Sequence, residues 1–317
     1  VFMEKLKALL LTEGMHGMIS QVEGMAKALN TEYSHKIIRL SFPWKFIPPK
    51  LTPISDTILK DKIYLKENDS VDIIISCGRK SVIPSIILKK KNPKIFTIHI
   101  QGPKVSLNNF DAIIAPEHDG LNGNNVYSSK GAIHYITESE IDRAKSYLMK
   151  NINSEKVVSL ILGGPNKYYK FDHDQLLNIF NMIKSNFVSK GYRVVVIPSM
   201  RTPKDSIELA VREMGSCGYV VKGVDKQAYL SAYALANYVV VTCDSTSMIS
   251  EAATSGKPIF VAHMKPKKNN YRFKKFFNLF REMRITRDLG EKVEPWTYNK
   301  HNEAERIGNL IKNKIKN

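Results

Sequence analysis

The sequence contains little cysteine and no long apolar run. Its three cysteines, Cys77, Cys217 and Cys243, lie far apart and form no Cys-x-x-Cys pair, which argues against a disulfide scaffold and favours a reducing compartment. No stretch approaches the roughly 18 consecutive apolar residues of a membrane-spanning helix. The apolar run at 6–11 is too short for the core of a secretory signal and is predicted to be a buried strand. We therefore expect a cytoplasmic protein that associates, at most peripherally, with the inner face of a membrane.

Acidic residues are scarce relative to basic ones. Asp and Glu number 30 against 48 Lys and Arg, so the formal net charge is +18. Most of the basic residues are lysines in short runs such as Lys89–Lys91, and no zinc-finger spacing, RNP aromatic signature or KH loop is present. We therefore predict no nucleic-acid binding. An anionic small molecule or the anionic face of a membrane fits the charge better.

Several motifs of catalytic and cofactor sites are also missing. The sequence has no HExxH motif, no paired DxD and no Cys/His ligand spacing, so we predict no metal site. It has no GxSxG motif, which argues against the hydrolases that use one. Its glycine-rich loops match neither the Walker loop nor GxGxxG, so no dinucleotide cofactor is predicted.

The sequence does contain a repeated succession of buried strand, small-residue loop and helix. Its 317 residues are 43% hydrophobic and 25% charged, as in an ordinary globular protein of two domains. Predominantly apolar runs of the kind found in parallel strands occur at 6–11, 71–76, 95–100 and 112–115, and again at 157–162, 193–197, 238–242 and 258–262. This alternation predicts an α/β fold of two Rossmann-like, doubly wound parallel sheets. We place the domains at 1–150 and 151–317.

The strongest candidate site follows the apolar run at 238–242. Asp244, Ser245, Thr246 and Ser247 open a predicted helix, and the exposed N–H groups at a helix start can bind an anion such as phosphate. Glu251 lies one turn further along and could accept hydrogen bonds from a ribose. The alternative is ordinary helix capping with a solvated Glu251.

Three further loops of the second domain follow predicted strands. Gly163 and Gly164 could cradle a diphosphate, or simply form a tight turn. Ser199 and Arg201 could contact a phosphate, with a surface ion pair as the alternative for Arg201. Gly223 and Val224 could offer backbone groups to a base. Because parallel strands end at the same edge of a sheet, we expect these loops to converge.

The first domain offers a different set of polar residues at its strand ends. A base is needed to deprotonate an acceptor hydroxyl, and His16, Glu117 and His118 are the candidates. The remaining residues expected on the acceptor side are Glu13, Gly14, Gly17, Arg79, Gln101 and Asp119. Helix capping or a structural hydrogen bond is the alternative for each of the three candidate bases.

Two segments could touch a membrane or a partner protein. Residues 41–50 mix aromatic residues, prolines and lysines, and 271–285 places four phenylalanines on one helical face flanked by basic residues. A basic amphipathic helix can lie in a membrane interface. The same stripe fits a helix docked on its own domain, which is the interpretation we favour.

The order of these motifs resembles the mitochondrial fission (elongated mitochondria) protein family of plants and its bacterial relatives. The resemblance spans nearly the whole chain. It rests on the opening strand with Gly14–Gly17 and on the motifs Ser76-Cys77-Gly78-Arg79, Ala115-Pro116-Glu117-His118-Asp119, Leu162-Gly163-Gly164-Pro165, Pro198-Ser199-Met200-Arg201-Thr202-Pro203, residues 244–252 and residues 271–276.

The resemblance implies a fold like that of GT-B glycosyltransferases, with two Rossmann-like domains facing a cleft. It implies a nucleotide-diphosphate sugar as donor substrate, its diphosphate at Gly163, Gly164 and 245–247 and its ribose near Glu251. The first domain would bind the acceptor, an envelope lipid or saccharide, and the terminal helix at about 303–315 would cross back to it. We predict an inverting, metal-independent glycosyltransferase. The absence of GxGxxG and of a Tyr-x-x-x-Lys pair argues against a nucleotide-sugar epimerase.

The same resemblance leaves a second function open. The plant member of the family is associated with recruiting a dynamin-like GTPase to mitochondria. The alternative is therefore a non-catalytic adaptor that keeps the GT-B shell and binds a protein or a membrane surface.

Overall fold

The structure is a computed structural model that describes residues 5–63 and 70–315. The chain divides into two compact units. One runs to Tyr135 and also contains the segment from Glu303, and the other is Ile136–Asn302. In the described ranges, no helix combines the length and the apolar character that a membrane span needs.

The first unit is a six-stranded parallel sheet with helices packed on it. The strand order is β2-β1-β3-β4-β5-β6. The strands are β1 (Lys7–Thr12), β2 (Glu32–Ile37), β3 (Ile73–Cys77), β4 (Phe96–Ile100), β5 (Ala112–Pro116) and β6 (Val126–Ser129). Helices α1 (His16–Ala28) and α2 (Val82–Lys91) belong to this unit, as does the last helix of the chain, at Glu303–Ile315.

The second unit repeats this plan. Its strand order is β12-β11-β10-β7-β8-β9, again parallel throughout. The strands are β7 (Val157–Leu162), β8 (Arg193–Pro198), β9 (Gly218–Val220), β10 (Tyr238–Thr242), β11 (Ile259–Ala262) and β12 (Thr286–Asp288). The helices are α3 (Glu138–Ala144), α4 (Met149–Ile152), α5 (His173–Asn186), α6 (Lys204–Met214), α7 (Lys226–Leu235), α8 (Thr246–Ala253) and α9 (Tyr271–Glu282), so the chain's last helix is α10.

The predicted fold class of two Rossmann-like parallel sheets is confirmed. Every residue of β3, β7 and β10 is buried, because helices cover both faces of these central strands and leave no position for a polar, solvated side chain. The edge strands β2, β6 and β12 were not predicted. In β2, five of the six residues are exposed, so this strand carries no continuous apolar run to reveal it.

Two segments, residues 136–150 and helix α10, pack with a unit other than the one whose predicted sequence range contains them. Residues 136–150, which the apolar pattern placed in the first domain, lie with the second unit because α3 packs against α7. The backbone N–H of Leu148 also donates to Ser231 Oγ at 3.1 Å. Helix α10 packs against α1 of the first unit, where Ile307 and Ile311 are fully buried.

Candidate functional site

Three loops meet at the carboxyl edge of the second sheet, one after each of the adjacent strands β7, β8 and β10. The guanidinium of Arg201 joins them. Its Nη1 donates to the carbonyl oxygen of Gly164 at 2.9 Å, and its Nη2 donates to Asp244 Oδ2 at 2.8 Å. The N–H of Gly164 donates to the same carboxylate oxygen at 3.0 Å. The turns near residues 164, 201 and 244 therefore converge on one another, as expected for strand ends in a parallel sheet.

The glycine pair is required by close approach of the chain to itself. A Cβ on Gly163 would lie 2.1 Å from Asp244 Oδ2, and one on Gly164 would lie 2.0 Å from the carbonyl oxygen of Arg201. The N–H of Gly163 donates to Thr242 Oγ1 at 2.8 Å. Since both glycine N–H groups already have protein acceptors, a diphosphate held by these groups would have to displace the Thr242 hydroxyl and the Asp244 carboxylate.

Asp244 is the electrostatic centre of this cluster. Its side chain is fully buried, whereas that of Arg201 is 40% exposed. Its second oxygen, Oδ1, has no hydrogen-bond partner among the described residues. Sequence reasoning gave the two residues separate roles as ligand contacts. The structure pairs them, so the Arg201 charge balances a buried carboxylate and its remaining N–H groups stay partly accessible.

Two residues that sequence reasoning missed lock the loops together. The hydroxyl of Thr202 donates to the carbonyl of Gly163 at 2.6 Å and accepts from the N–H of Ser199 at 2.8 Å. Asn166 Nδ2 donates to the carbonyl of Asp244 at 2.9 Å. Thr202 and Asn166 both lie within or beside the quoted motifs, but only the tertiary structure shows that they span between strands.

Helix α8 begins at this cluster. Ser245 is its N-cap residue, because Ser245 Oγ accepts from the N–H of Met248 at 3.3 Å. The N–H groups of Thr246 and Ser247, the first two of the helix, have no acceptor among the described residues. They form, with the helix dipole, a site that favours an anion. Ser247 is exposed and Thr246 half-buried, so an anion could reach these groups.

Glu251 lies one helical turn beyond Ser247 and is partly buried. Burial raises the pKa of Glu251 to about 7, and the hydrogen bond from Tyr229 partly offsets this effect. The Tyr229 hydroxyl donates to Glu251 Oε2 at 2.5 Å. The ring of Tyr229 packs edge-on against Tyr233, with centroids 4.8 Å apart. Tyr229 was missed because it lies on α7, 22 residues away, and nothing local in the sequence connects it to Glu251.

The predicted base-binding loop lies just before α7. Gly223 and Val224 are exposed, and the Val224 side chain is 65% exposed. Asp225 caps α7 by accepting from the N–H of Ala228 at 3.0 Å. The backbone of 223–224 is therefore accessible at the end of the helix that carries Tyr229.

In the first unit the predicted acceptor residues divide into separate groups. Glu13 Oε1 pairs with Lys80 Nζ at 2.7 Å. Arg79 instead donates to the carbonyl oxygens of Lys45 and Ile47, at 2.7 and 3.0 Å, and so holds the loop after β2. This is a structural hydrogen-bonding role, which sequence reasoning did not predict for Arg79.

The loop after β1 leads into helix α1. Gly14 adopts a φ of 87° and its N–H donates to Thr12 Oγ1 at 3.0 Å, and Gly17 is the second residue of α1. His16 opens α1 as an exposed side chain whose ring meets the ring of Tyr135 edge-on at 6.1 Å. Sequence reasoning missed His35 on the unpredicted strand β2. Its Nε2 lies 2.8 Å from Thr12 Oγ1, and burial lowers its pKa.

The remaining residues follow β4 and β5. Gln101 has a φ of 87°, and its N–H donates to the carbonyl of Ile114 at 2.7 Å. Glu117 and Asp119 lie in an exposed turn, and the His118 side chain lies outside what the structure describes. Glu117 lines a surface pocket of about 440 Å³ with Lys130 and Arg306.

No metal site emerges from the described part of the chain. No group of three or more His, Cys, Asp or Glu side chains there could hold a metal ion. The buried His99, whose Nδ1 lies 2.8 Å from Ser76 Oγ, is a structural residue, because burial lowers its pKa to about 3 and keeps the ring neutral.

Two six-stranded parallel sheets with a loop cluster at the carboxyl edge of the second define a GT-B-like α/β protein. A solved structure with this fold is UDP-GlcNAc 2-epimerase from Methanocaldococcus jannaschii. It aligns with a TM-score of 0.52 and 13% identity over 96% of this chain and 99% of the epimerase. At that identity the likeness concerns the fold alone.

The chain belongs to the mitochondrial fission ELM1 family, whose sequence profile matches residues 16–315. The predicted family is thereby confirmed. The uncharacterized protein RP120 of Rickettsia prowazekii is 26% identical over 94% of both chains. The mitochondrial fission protein ELM1 of Arabidopsis thaliana is 24% identical over 78% of this chain and 65% of the plant protein.

Proposed function

We propose that this protein is a metal-independent glycosyltransferase that binds a nucleotide-diphosphate sugar on its second unit. The observation that carries the proposal is the convergence of the loops after β7, β8 and β10 on the open N-terminus of α8. The free N–H groups of Thr246 and Ser247 follow closely on Asp244 in the chain, and Asp244 pairs with the half-exposed Arg201. The fold neighbour's name, UDP-GlcNAc 2-epimerase, supports a nucleotide sugar as ligand class.

The diphosphate of this ligand binds at the start of α8. The N–H groups of Thr246 and Ser247 donate to it, and Arg201 contributes those guanidinium N–H groups that Gly164 and Asp244 do not use. The same donors stabilise the negative charge that develops on the leaving diphosphate, a role that a metal ion fills in other transferases. Gly163 contributes by leaving room for the Asp244 carboxylate that orients Arg201, and Gly164 by leaving room for the backbone of Arg201.

The nucleoside binds further along the same edge. Glu251 accepts hydrogen bonds from the ribose hydroxyls, with Tyr229 holding one of its carboxylate oxygens at 2.5 Å. We assign Ser199, which follows β8, and Gly223 and Val224, which follow β9, to this region, because the exposed backbone of 223–224 suits the polar edge of a base.

The acceptor, an envelope lipid or saccharide, binds the first unit. There a base removes the proton from the acceptor hydroxyl, the oxygen attacks the anomeric carbon, and the nucleoside diphosphate leaves with inversion. His16, Glu117 and His118 are the candidate bases. The other residues assigned to the acceptor side follow β1 (Glu13, Gly14 and Gly17), β4 (Gln101) and β5 (Asp119).

An epimerase is the competing reaction on the same ligand. The missing GxGxxG motif does not exclude it, since a UDP-GlcNAc 2-epimerase shares this fold. Incubation with UDP-GlcNAc separates the two. Appearance of an epimeric UDP-sugar without an acceptor supports the epimerase, and release of UDP only when an acceptor is present supports the transferase.

Titration calorimetry with nucleoside diphosphates and nucleotide sugars tests the binding proposal. We expect submillimolar binding to the unmodified protein, and weaker binding to a variant with Ser245→Ala and Glu251→Ala. Glu155→Ala is the matched control, because Glu155 is exposed and precedes β7, at the opposite edge of the sheet. No binding below millimolar, together with no effect of the double substitution, would exclude the proposed site.

A non-catalytic adaptor is the second candidate function, and one exposed loop favours it. Phe42 is 79% and Phe46 is 69% exposed, yet the loop is held in place by the bonds from Arg79 to its backbone. Exposed aromatic residues on a fixed loop are typical of protein-binding surfaces. A purified dynamin-like GTPase, the partner that the family resemblance implies, should bind the protein and lose binding to a Phe42→Ser, Phe46→Ser variant. Equal binding to that variant would exclude this loop as the adaptor surface.

A further inference from the structure

The second unit carries a dense group of basic side chains that the proposed nucleotide site does not use. We define the basic patch as the loop 165–170 after β7 together with residues 265–275, which follow β11 and begin α9. Its residues include eight basic and no acidic side chains. They are Lys167, Lys170, Lys265, Lys267, Lys268, Arg272, Lys274 and Lys275.

The two segments of the basic patch form one fixed surface. An antiparallel bridge pairs Tyr169 with Pro266, and the N–H of Lys267 donates to the carbonyl of Tyr168 at 2.7 Å. The buried Tyr169 hydroxyl accepts from Asn270 Nδ2 at 2.9 Å. The ring of Phe273 packs edge-on against both Tyr168 and Tyr169. The lysines therefore project from a preformed framework.

The lysine charges of the basic patch are not compensated locally. All seven lysines are exposed, and none of them forms an ion pair with a described carboxylate. The nearest acidic residue along the chain, Asp172, is engaged in capping α5 through the N–H of Gln175. Seven uncompensated charges on one rigid surface repel each other and attract a partner of opposite charge.

We propose that the basic patch binds the surface of an anionic lipid bilayer. A cluster of four to eight cationic side chains is typical of proteins that bind anionic headgroups, each contributing about equally and without fixed geometry. Seven of the eight cations are lysines, which act as hydrated point charges rather than as the bidentate forks that arginine provides. Tyr271, 60% exposed at the start of α9, adds an amphipathic ring suited to the bilayer interface.

The aromatic rings of the patch argue against a single-stranded nucleic acid as its ligand. Such ligands bind by stacking bases on open ring faces. The amino groups of Lys167 and Lys268 lie 5.9 and 5.0 Å from the ring centroid of Tyr168, and that of Lys275 lies 4.8 Å from the centroid of Tyr271. Lysine amino groups of the patch therefore already contact both of these rings.

Helix α9 contributes its charge but not its apolar face. Phe276 is 7% exposed and Phe280 is fully buried, with ring centroids 4.2 Å apart. The helix is therefore docked on its own unit, and the association with lipid is electrostatic, reversible and sensitive to salt.

The basic patch lies at the same sheet edge as the proposed nucleotide site. Asn166, within the patch, donates to the carbonyl of Asp244 at 2.9 Å. Lipid binding would therefore bring that edge to the membrane surface, where a lipid acceptor would be located. The lipid proposal itself does not depend on nucleotide binding.

Vesicle co-sedimentation of the full chain tests this proposal. The vesicles contain phosphatidylcholine alone or phosphatidylcholine mixed with phosphatidylglycerol. We expect binding only to the mixed vesicles and its loss at high salt. The variant Lys267→Glu, Lys268→Glu should partition at least about tenfold more weakly. The control Lys90→Glu, Lys94→Glu makes the same change of charge at exposed lysines of the first unit, and should change binding less than twofold.

Two further measurements keep the outcome decisive. A Lys274→Gln, Lys275→Gln variant with an unchanged melting temperature should also bind more weakly, which separates lipid contact from misfolding. Calorimetry with UDP should give the same affinity for all variants, which separates failure of this proposal from failure of the nucleotide site. The proposal would be overturned by equal binding to neutral vesicles or by an equal loss of vesicle binding in the control variant. It would also be overturned if vesicle binding were lost only in the Phe42→Ser, Phe46→Ser variant, or if the patch bound RNA and no vesicles.

Discussion

The contact between Gly163 and Asp244 makes a quantitative prediction about the candidate site. In Gly163→Ala, the added Cβ would lie 2.1 and 2.4 Å from the two carboxylate oxygens of Asp244. The carboxylate has to move and thereby loses its hydrogen bonds to Arg201 and to the N–H of Gly164. Hydrogen bonds to charged groups contribute about 1.5–3 kcal/mol each. Because Arg201 is partly solvated, its bond contributes near the lower end of this range, and we expect Gly163→Ala to lower the free energy of unfolding by about 3 kcal/mol.

Asp244→Ala removes the same two hydrogen bonds and should also cost about 3 kcal/mol. It also removes the atoms that the new Cβ meets. The double variant is therefore expected to lose about 3 kcal/mol rather than about 6, a coupling near the upper end of what neighbouring residues show.

Urea unfolding of the four proteins of this double-mutant cycle measures the coupling. Gly17→Ala is the matched glycine control, because a Cβ there meets nothing within 4 Å, and alanine in a helix is favoured by up to about 1 kcal/mol. Additive costs for the two substitutions would show that the Asp244 carboxylate does not lie against Gly163, and the convergence of the three loops would be refuted.

Three other predictions concern the same unit and the thiols. Burial raises the pKa of Glu251 from 4.5 to about 7, so the native state binds the extra proton. As the pH rises from 5 to 8, the free energy of unfolding of the wild type, measured in urea titrations, should therefore fall by up to about 3 kcal/mol relative to that of Glu251→Gln. Parallel pH profiles of the two proteins would contradict this prediction. Burial raises the pKa of Cys77 and Cys243 to about 12, so a thiol reagent should label only the part-exposed Cys217 quickly, and two fast thiols would contradict this. Phe280→Ala should cost about 3–5 kcal/mol in thermal or urea unfolding, and a cost no larger than that of the part-exposed Phe273→Ala would show that α9 is not docked.

The central strands could be predicted from sequence because burial on both faces leaves a local signature. Runs such as 157–162 and 238–242 contain no position for a charged side chain, and the structure covers both strands with helices. The edge strand β2 carries no such signature, since it faces solvent and its pattern is polar. His35, which lies on β2, was missed for the same reason.

For the site, sequence reasoning found the loops but not their partners. Glycines after a strand and small hydroxyl residues before a helix are local patterns, so Gly163, Gly164 and 244–247 were recognised. The pairing of Arg201 with Asp244 spans 43 residues, and that of Tyr229 with Glu251 spans 22. Such pairs depend on which strands become neighbours, which the order β10-β7-β8 decides.

The amino-acid sequence by itself determined the alternation of buried strands and helices, the family and the positions where loops turn. Only the tertiary structure decided that Arg79 binds a backbone loop, that Asp244 occupies the space beside Gly163 and that α9 buries Phe276 and Phe280. The physical reason is that propensity and hydrophobic pattern act between near neighbours in the chain, whereas a side chain's charge partner is set by sheet order and packing between distant segments.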